Sequence, residues 1–308
     1  MNASQTTPIL LTLFIASITL VALAASRWQD KPIPPGGTQV DSLVSSSGPV
    51  TQSTEQGATT SPQPIDDTPA VHPLDPLLAI AADIKQHIER DVHDYTAKLI
   101  KRERIKGSLG DETQMLIKVR NQRETEEQTI PLSAYIKFTS PKSVAGREVI
   151  WVAGRNDNHL ISHESGFLNL KRLSLAPNGI LAMMGNKYPI TEVGLLRLAE
   201  KLIEKGERDR ELGSCIVETI EDQMVGDRVC RLYQITHPRA ANGFDFHIAQ
   251  IFVDVQRNIP LRYAAFMWPE KPGESPPLEE EYTYLDLQLN VGLTDADFDP
   301  DNASYDFP

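Results

Sequence analysis

The sequence has 308 residues, 40% of them hydrophobic and 23% charged, so it can bury a core of ordinary size without disulfides or a structural metal. Its formal net charge of -12 argues against binding to nucleic acid or to an anionic membrane surface, because both need concentrated Lys and Arg. The basic run of Lys101, Arg102, Arg104 and Lys106 is a local exception, which we interpret as the solvated face of a strand.

The first segment, 1–25, contains an uncharged apolar run from residue 8 to residue 25. Its length lies between that of a secretory signal and the roughly 20 residues of a membrane-spanning helix. The small residues Ala22 and Ala24 favour cleavage, whereas a basic residue after the run, Arg27, is atypical of an export signal. We therefore predict export to the periplasm or cell envelope, with 1–25 acting as a signal peptide or as an uncleaved membrane anchor.

The next segment, 26–73, is rich in Pro, Gly, Ser and Thr and poor in apolar residues. Burial cannot offset chain entropy in such a composition, so we interpret it as a disordered linker. A single α+β domain is predicted over 74–300, followed by a C-terminal tail over 301–308.

The folded region is predicted to begin with an amphipathic helix. Asp75 before Pro76 is a good helix start, because Asp caps free N–H groups and Pro fits the first helical position. The helix is expected to end near Val92. Apolar residues recur at helical spacing at Leu77, Ala81, Ile84 and Ile88.

Most later segments alternate apolar and polar residues, which predicts strands. Turn residues such as Gly226 and Asp227 separate neighbouring strands, so antiparallel meanders are expected. The fold class is therefore α+β, with a large curved antiparallel sheet covered by two helical elements. The predicted strands are 95–99, 115–119, 132–138, 149–152, 159–162, 215–220, 229–235, 246–253, 261–267 and 282–290.

A mid-chain insert is expected to be helical. It starts with an apolar stretch from Ile180 to Met184 and continues in a second amphipathic helix that opens at Thr191 and Glu192. Gly206 follows the last periodic residue and is expected to end that helix. The buried stripe of this helix is Leu195, Leu198 or Ala199, and Leu202.

The sequence has no nucleophile elbow, no phosphate-binding glycine loop and no HExxH zinc helix, so no enzyme, cofactor or metal site is predicted. His159 and His163 are separated by about 13 Å on a strand, too far apart to share a metal. His237 and His247 flank a loop and are able to converge, but a structural role is favoured for both.

Acidic residues near the C-terminus receive structural interpretations. The alternating aspartates 295, 297, 299 and 301 resemble a calcium loop, but Pro300 stands where an EF-hand requires Gly. Glu279, Glu280 and Glu281 are interpreted as keeping an edge strand soluble.

Cys215 and Cys230 are the only cysteines, and a disulfide between them is an open alternative in an oxidising compartment. The turn at Gly226 and Asp227 would place Cys230 opposite Gln223, so the bridge would need a bulged connection.

Several long segments carry a resemblance to a known family. They are DYTAKLIKRERIKG, VAGREVIWVAGRNDNHLISHESG, GNKYPITEVGLLRLAEKLIEKGERD, HPRAANGFDFHIAQIFVD and EEYTYLDLQLNVGLTDADFD. Over about 74–298 they resemble an uncharacterised planctomycete family with a domain of unknown function. The order of helix, strands, insert and closing strand is also similar to the LolA/LolB lipoprotein-carrier superfamily, which implies an incomplete barrel and an apolar cavity for acyl chains.

Two functions from different classes follow as hypotheses. The first is a non-enzymatic envelope protein that binds lipid or an acylated protein in an apolar cavity. The second is an envelope protein-interaction or sensing domain with a solid core, and a hydrolase ranks below both. The oligomeric state is left open. The residues predicted to line or cover the cavity are Ile180, Leu181, Met183, Met184, Leu195, Leu198 and Leu202, for which ordinary core packing is the competing interpretation.

Overall fold

The computed structural model describes residues 71–166, 171–240 and 243–308. The predicted signal or anchor over 1–25 and nearly all of the predicted linker over 26–73 lie outside these residues. Two helices and fourteen strands are formed within the described part of the chain.

The first helix, α1, spans Asp75–Asp91, with Pro in its first turn as predicted. The second helix, α2, spans Leu195–Leu212 and begins later than predicted, because a short 3-10 turn and Gly194 precede it. The prediction that Gly206 ends this helix is wrong. A Cβ atom on Gly206 would lie 2.9 Å from Leu78 of α1, so this glycine allows the two helices to approach closely.

The strand bounds follow the predicted alternation and add several short strands. The strands are β1 Asp94–Ile105, β2 Ser108–Leu109, β3 Thr113–Arg120, β4 Arg123–Glu124, β5 Thr129–Ile130, β6 Ser133–Ser140, β7 Glu148–Val152, β8 Leu160–His163, β9 Leu173–Leu175, β10 Ile216–Val225, β11 Arg228–Thr236, β12 Ile248–Asp254, β13 Ile259–Phe266 and β14 Leu278–Leu289.

One large antiparallel sheet contains all of these strands except β4 and β5, which pair with each other. Its order is β10-β11-β12-β13-β14-β1-β3-β6-β7-β8-β9, with β2 attached to β1, and it does not close into a barrel. The predicted fold class is thereby confirmed. The interpretation of 279–281 as an edge strand is wrong, because β14 lies in the middle of the sheet between β13 and β1.

The main core lies between the sheet and the two helices. Tyr95 and Leu99 of β1 and Ile117 and Val119 of β3 alternate with more exposed neighbours, as the sequence predicts. Ile88 of α1 packs in the same core and is fully buried. Burial of this face against the helices is the main source of stability for the fold.

A smaller core lies on the opposite face of β6 and β7, beneath the C-terminal segment. Phe298 packs there with Tyr135 and Ile150. The ring of Tyr305 stacks on Tyr135 with a centroid distance of 4.2 Å. The residues predicted as a tail, 301–308, therefore pack on the sheet.

The aspartates that mimic a calcium loop have protein partners. Asp297 accepts the Thr294 backbone N–H at 2.9 Å and the Lys118 ammonium at 2.8 Å. Asp295 forms an ion pair with the Arg120 guanidinium at 2.7 Å. Within the described residues, no group of His, Cys, Asp and Glu is arranged to hold a metal ion.

Both cysteines are buried free thiols. The β10–β11 hairpin places Cys230 opposite Gln223, as its turn predicts. Burial raises the pKa of the Cys215 and Cys230 thiols to about 11 in each case, so both are protonated at neutral pH. The disulfide considered above is not formed in this structure, and its formation stays a prediction.

Candidate functional site

An apolar groove lies between the two helices and strands β11, β12 and β13. Its side chains come from one face of α1, the facing stripe of α2 and the inner side of these strands. Aliphatic side chains dominate the lining on both sides. Residues that define the groove are Leu77, Ala81, Ile84, Ala199, Leu202 and Ile251.

The groove is nearly filled by its own side chains. Its cavity has a volume of about 40 Å³, whereas pockets for small molecules usually measure about 300–1,000 Å³. A volume of this size holds about one water molecule.

Only one of the residues predicted for the cavity lines this groove. Leu202 of α2 does so. Leu195 is fully buried in the core beside it, and Leu198 is partly buried against the same core. The α2 stripe is therefore predicted correctly as an inward face.

The insert residues lie elsewhere, and their prediction as a helical cover of the cavity is wrong. Residues 180–184 form turns, and Gly185, which ends this stretch, has a positive φ of 76° that interrupts helical geometry. The side chain of Ile180 is 87% exposed. Leu181 and Met184 are also exposed, and Met183 is partly buried. Ile180, Leu181 and Met184 form an exposed apolar tip, and none of residues 180–184 lines the groove.

Replacing Ile180 with serine is expected to change the free energy of unfolding by less than about 0.5 kcal/mol, because the side chain loses almost no buried area. The matched change in the core, Leu195→Ala, should cost about 3 kcal/mol. Urea unfolding of the two variants checks this. A loss above about 1 kcal/mol for Ile180→Ser would show that the tip is packed in solution.

Next to the groove, the sheet carries a buried polar cluster on β1 and β14. Glu103 and Glu280 are directly opposite each other in the strand register, and their exposed fractions are only 6% and 2%. The Tyr282 hydroxyl donates to Glu103 Oε1 at 2.6 Å. The Lys101 ammonium donates to Glu103 Oε2 at 2.9 Å. These bonds satisfy the first carboxylate.

The insert supplies the partners of the second carboxylate. The Tyr188 hydroxyl donates to Glu280 Oε2 at 2.9 Å, and the Lys187 ammonium lies 2.8 Å from the same oxygen. The Lys187 backbone N–H donates to Glu103 Oε2 at 3.1 Å. Residues 187 and 188 thus fasten the insert to the inner face of the sheet.

The electrostatic environment keeps the tyrosines of this cluster protonated and favours the charged form of Lys187. Burial, and then the two carboxylates, raise the pKa of Tyr282 far above its ordinary value. Burial opposes the charge on Lys187, but Glu279 and Glu280 outweigh it and raise its pKa. The tyrosines therefore act as hydrogen-bond donors at neutral pH.

The sequence reasoning missed this cluster. It assigned the basic run at Lys101 to a solvated strand face and Glu280 to an exposed edge. Lys101 has a side chain that is only 12% exposed. The sequence did contain a signal for this cluster. Every second residue of a strand lies on the same face, and the inward face of β1 runs from Tyr95 through Leu99 to Glu103.

A second buried polar pair joins α2 to the loop after β11. His237 Nε2 lies 3.7 Å from Asp209 Oδ2, and both side chains are almost completely buried. The His237 ring stacks on Phe244 with a centroid distance of 3.9 Å. His237 and His247 do converge, through a bond from the His237 backbone N–H to the His247 carbonyl at 2.8 Å. The structural role favoured for both residues stays a prediction.

Acid should weaken the fold through His237. Burial lowers the pKa of His237 below its ordinary 6.5, so below that pH the unfolded chain binds a proton that the folded chain resists. This contribution is complete above pH 6.5 and declines as the pH falls. Burial also raises the pKa of Asp209 above its ordinary 3.8. Protonation of Asp209 therefore stabilises the folded chain as the pH falls towards 3.8, which is opposite to the effect of His237.

The measurement is urea unfolding at about pH 7.5 and about pH 5.5. The loss of stability between these values should be smaller in His237→Gln than in the wild type. The same loss in both proteins would contradict a neutral buried imidazole.

Comparisons with known proteins give the following results. No curated protein matches the sequence. Similar solved structures include a DUF1329 family protein from Desulfovibrio piger, a LolA superfamily protein from Nitrosomonas europaea and the MucA/MucB complex of Pseudomonas aeruginosa. Their identities are 13%, 12% and 13%, and their TM-scores are 0.36, 0.29 and 0.36. The matches cover 74%, 75% and 71% of this chain and 98%, 98% and 60% of the other chains.

We draw no functional conclusion from similarities at this level. In the part of the chain that the structure describes, neither helix has the length and apolar composition needed to cross a membrane.

The family assignment rests on a longer and more specific match. The model of a family of proteins of unknown function, DUF1571, matches residues 92–307. This range begins just after α1 and includes both polar clusters, the insert and the C-terminal segment. It covers more than two thirds of the sequence. The chain therefore belongs to the DUF1571 family.

Proposed function

We propose that this is an exported, non-enzymatic binding protein of the cell envelope, which holds the acyl chain of a lipid or of an acylated protein between its helices and its sheet. The observation that carries the proposal is the groove, whose lining is apolar on α1, α2 and three strands. Lateral opening of the helices would expose a continuous apolar surface of the kind that binds hydrocarbon.

The helices are connected in a way that suits such opening. Leu78 and Gly206 pack α1 against α2, and Arg210 pairs with Asp75 at 2.6 Å, so the helices are fastened to each other. At the start of α2, the Leu195 backbone N–H donates to the buried Tyr95 hydroxyl at 2.8 Å. The pair of helices would move as a unit about this end.

Neighbouring alanines on α1 provide a matched test. Ala81 lines the groove, whereas Ala82 is exposed. Ala81→Leu fills the space that the ligand would occupy and should weaken monoacylglycerol binding by about fivefold or more. Ala82→Leu adds the same side chain outside the groove and should leave binding unchanged.

Native mass spectrometry after gentle purification supplies the direct readout. The wild type should retain lipid mass or take up added acyl ligand. A protein that stays free of lipid and ignores every acyl ligand would overturn the proposal.

A second candidate is a recognition domain with a solid core. The small cavity and the exposed tip at Ile180, Leu181 and Met184 favour it. Under this alternative, serine substitutions at the tip would abolish capture of an envelope partner, and Ala81→Leu would change nothing. If Ala81→Leu loses acyl binding and Ala82→Leu keeps it, the recognition domain with a solid core is rejected.

A further inference from the structure

A cavity much larger than the groove lies beside the small core, on the opposite face of the sheet. Its volume is about 400 Å³, whereas that of the groove is about 40 Å³. Sites for small molecules usually measure about 300–1,000 Å³. Ile150 of β7 and Ile161 of β8 are directly opposite each other in the strand register, and both line the cavity together with Phe298. These side chains form an apolar surface that can contact the hydrocarbon part of a ligand.

The polar side of the cavity contains a cation with free hydrogen-bond donors. Arg155 follows β7, lines the cavity and has a side chain that is 42% exposed. Among the described residues its guanidinium makes no hydrogen bond, and its one ionic contact is to Asp295 at 3.8 Å. Asp295 is already paired with Arg120 at 2.7 Å. The other guanidinium in the lining, that of Arg172, is paired with Asp301 at 2.6 Å. Arg155 is therefore available to an anionic ligand.

The turn after Arg155 has a defined conformation. Residues 156–158 have positive φ angles of 52°, 53° and 61°, a region that Asn and Asp adopt more readily than other non-glycine residues. The Asn158 carbonyl accepts a hydrogen bond from the Trp151 indole N–H at 3.3 Å, which fastens the turn to β7. Asn156 lines the cavity next to Arg155. A fixed turn presents both side chains at a lower entropic cost on binding than a mobile loop.

The charges of the lining favour a ligand with a single negative charge. Asp299 also lines the cavity, and its Oδ1 accepts the Asp301 backbone N–H at 2.9 Å. The described residues of the lining thus include two guanidinium groups and one carboxylate. A ligand ammonium would be repelled by both arginines, and a second negative charge on the ligand would be repelled by Asp299. A monocarboxylate meets neither penalty in full.

We propose that this cavity binds a small organic carboxylate. Its apolar body would contact Ile150, Ile161 and Phe298, and its carboxylate oxygens would accept hydrogen bonds from the Arg155 guanidinium and the Asn156 side-chain amide. The planar fork of a guanidinium matches the geometry of a carboxylate. The site is separate from the groove, so the inference does not depend on the proposed function.

Calorimetry on the full chain tests the inference with four probes: phenylacetate, phenylacetamide, phenethylamine and inorganic phosphate. Arg155→Gln removes the free cation, and Asp299→Asn removes the opposing carboxylate. Arg239→Gln is the matched control, because Arg239 is exposed after β11, at the other end of the sheet order from β7 and β8. Ala81→Leu fills the groove and detects a probe that binds there instead. Thermal unfolding checks the fold, and Arg155→Gln should be as stable as the wild type, because it loses only a long, exposed ionic contact.

The wild type should bind phenylacetate more tightly than the other three probes. Arg155→Gln should weaken phenylacetate binding about tenfold, and Asp299→Asn should tighten it about twofold. Arg239→Gln and Ala81→Leu should leave it unchanged. Equal binding of phenylacetate and its amide, tighter binding of the amine, or equally tight binding of phosphate would overturn the ligand class. Absence of binding by all four probes, or loss of binding in Ala81→Leu but not in Arg155→Gln, would overturn the site and leave the acyl-binding proposal for the groove intact.

Discussion

Replacing Lys187 with alanine should lower the free energy of unfolding by about 3 kcal/mol, because it leaves the buried Glu280 carboxylate without its closest cation. The Lys187 ammonium lies 2.8 Å from both Glu279 and Glu280. The nearest remaining cation, Lys205, is 3.9 Å from Glu280. Urea unfolding at neutral pH measures the change.

Lys201 of α2 is the matched control. Its side chain is 43% exposed, and its acidic partners Glu192 and Glu204 are 3.7 and 3.6 Å away in contact with solvent. Lys201→Ala should therefore change stability by less than about 0.5 kcal/mol. Equal losses in the two variants would show that the cluster is as well solvated as the surface.

A double substitution separates charge from packing. Lys187→Ala combined with Glu280→Gln removes the uncompensated charge and keeps the shape of the glutamate. The double variant should recover part of the stability lost in Lys187→Ala. If the losses of unfolding free energy in Lys187→Ala and in Glu280→Gln simply add up in the double variant, the two residues are not coupled.

The predictable part of this fold depends on local periodicity. The alternation of Tyr95, Ala97 and Leu99 sets one face of β1 wherever the strand lies in the sheet. The turn at Gly226 and Asp227 likewise sets the register that places Cys230 opposite Gln223. Such features need no knowledge of distant contacts, so strands, helices and fold class follow from the sequence.

Features that depend on distant neighbours could not be predicted from the sequence. A glutamate in a strand looks the same at an edge and in the middle of a sheet, and β14 pairs with β1 across most of the domain sequence. For this reason Glu280 was assigned to the surface. Gly206 has the signature of a helix end, but the approach of Leu78 from α1 gives it a different role. The groove itself was predicted only through α2, because α1 residues that line it look like ordinary core.

The C-terminal segment illustrates the same point and has a testable consequence. It was predicted to be a tail, yet Phe307 lies beside the His163 ring with a centroid distance of 4.5 Å. His163 and Glu148 are both fully buried beneath it, and their side chains are 3.6 Å apart. Tyr305 also donates its hydroxyl to the Asp297 carbonyl at 2.7 Å.

A chain that ends at Asp299 should lose about 3 kcal/mol of unfolding free energy, because it exposes the surfaces covered by Tyr305 and Phe307. Removal of the segment also admits water to the Glu148 and His163 pair. Phe307→Ala alone should account for about half of this loss. Asp301→Ala is the control, since its carboxylate is 75% exposed in its pair with Arg172 and should contribute less than about 0.5 kcal/mol. If the shortened chain unfolds at the same urea concentration as the full chain, the segment is a free tail in solution, and the small core beneath it does not stabilise the sheet.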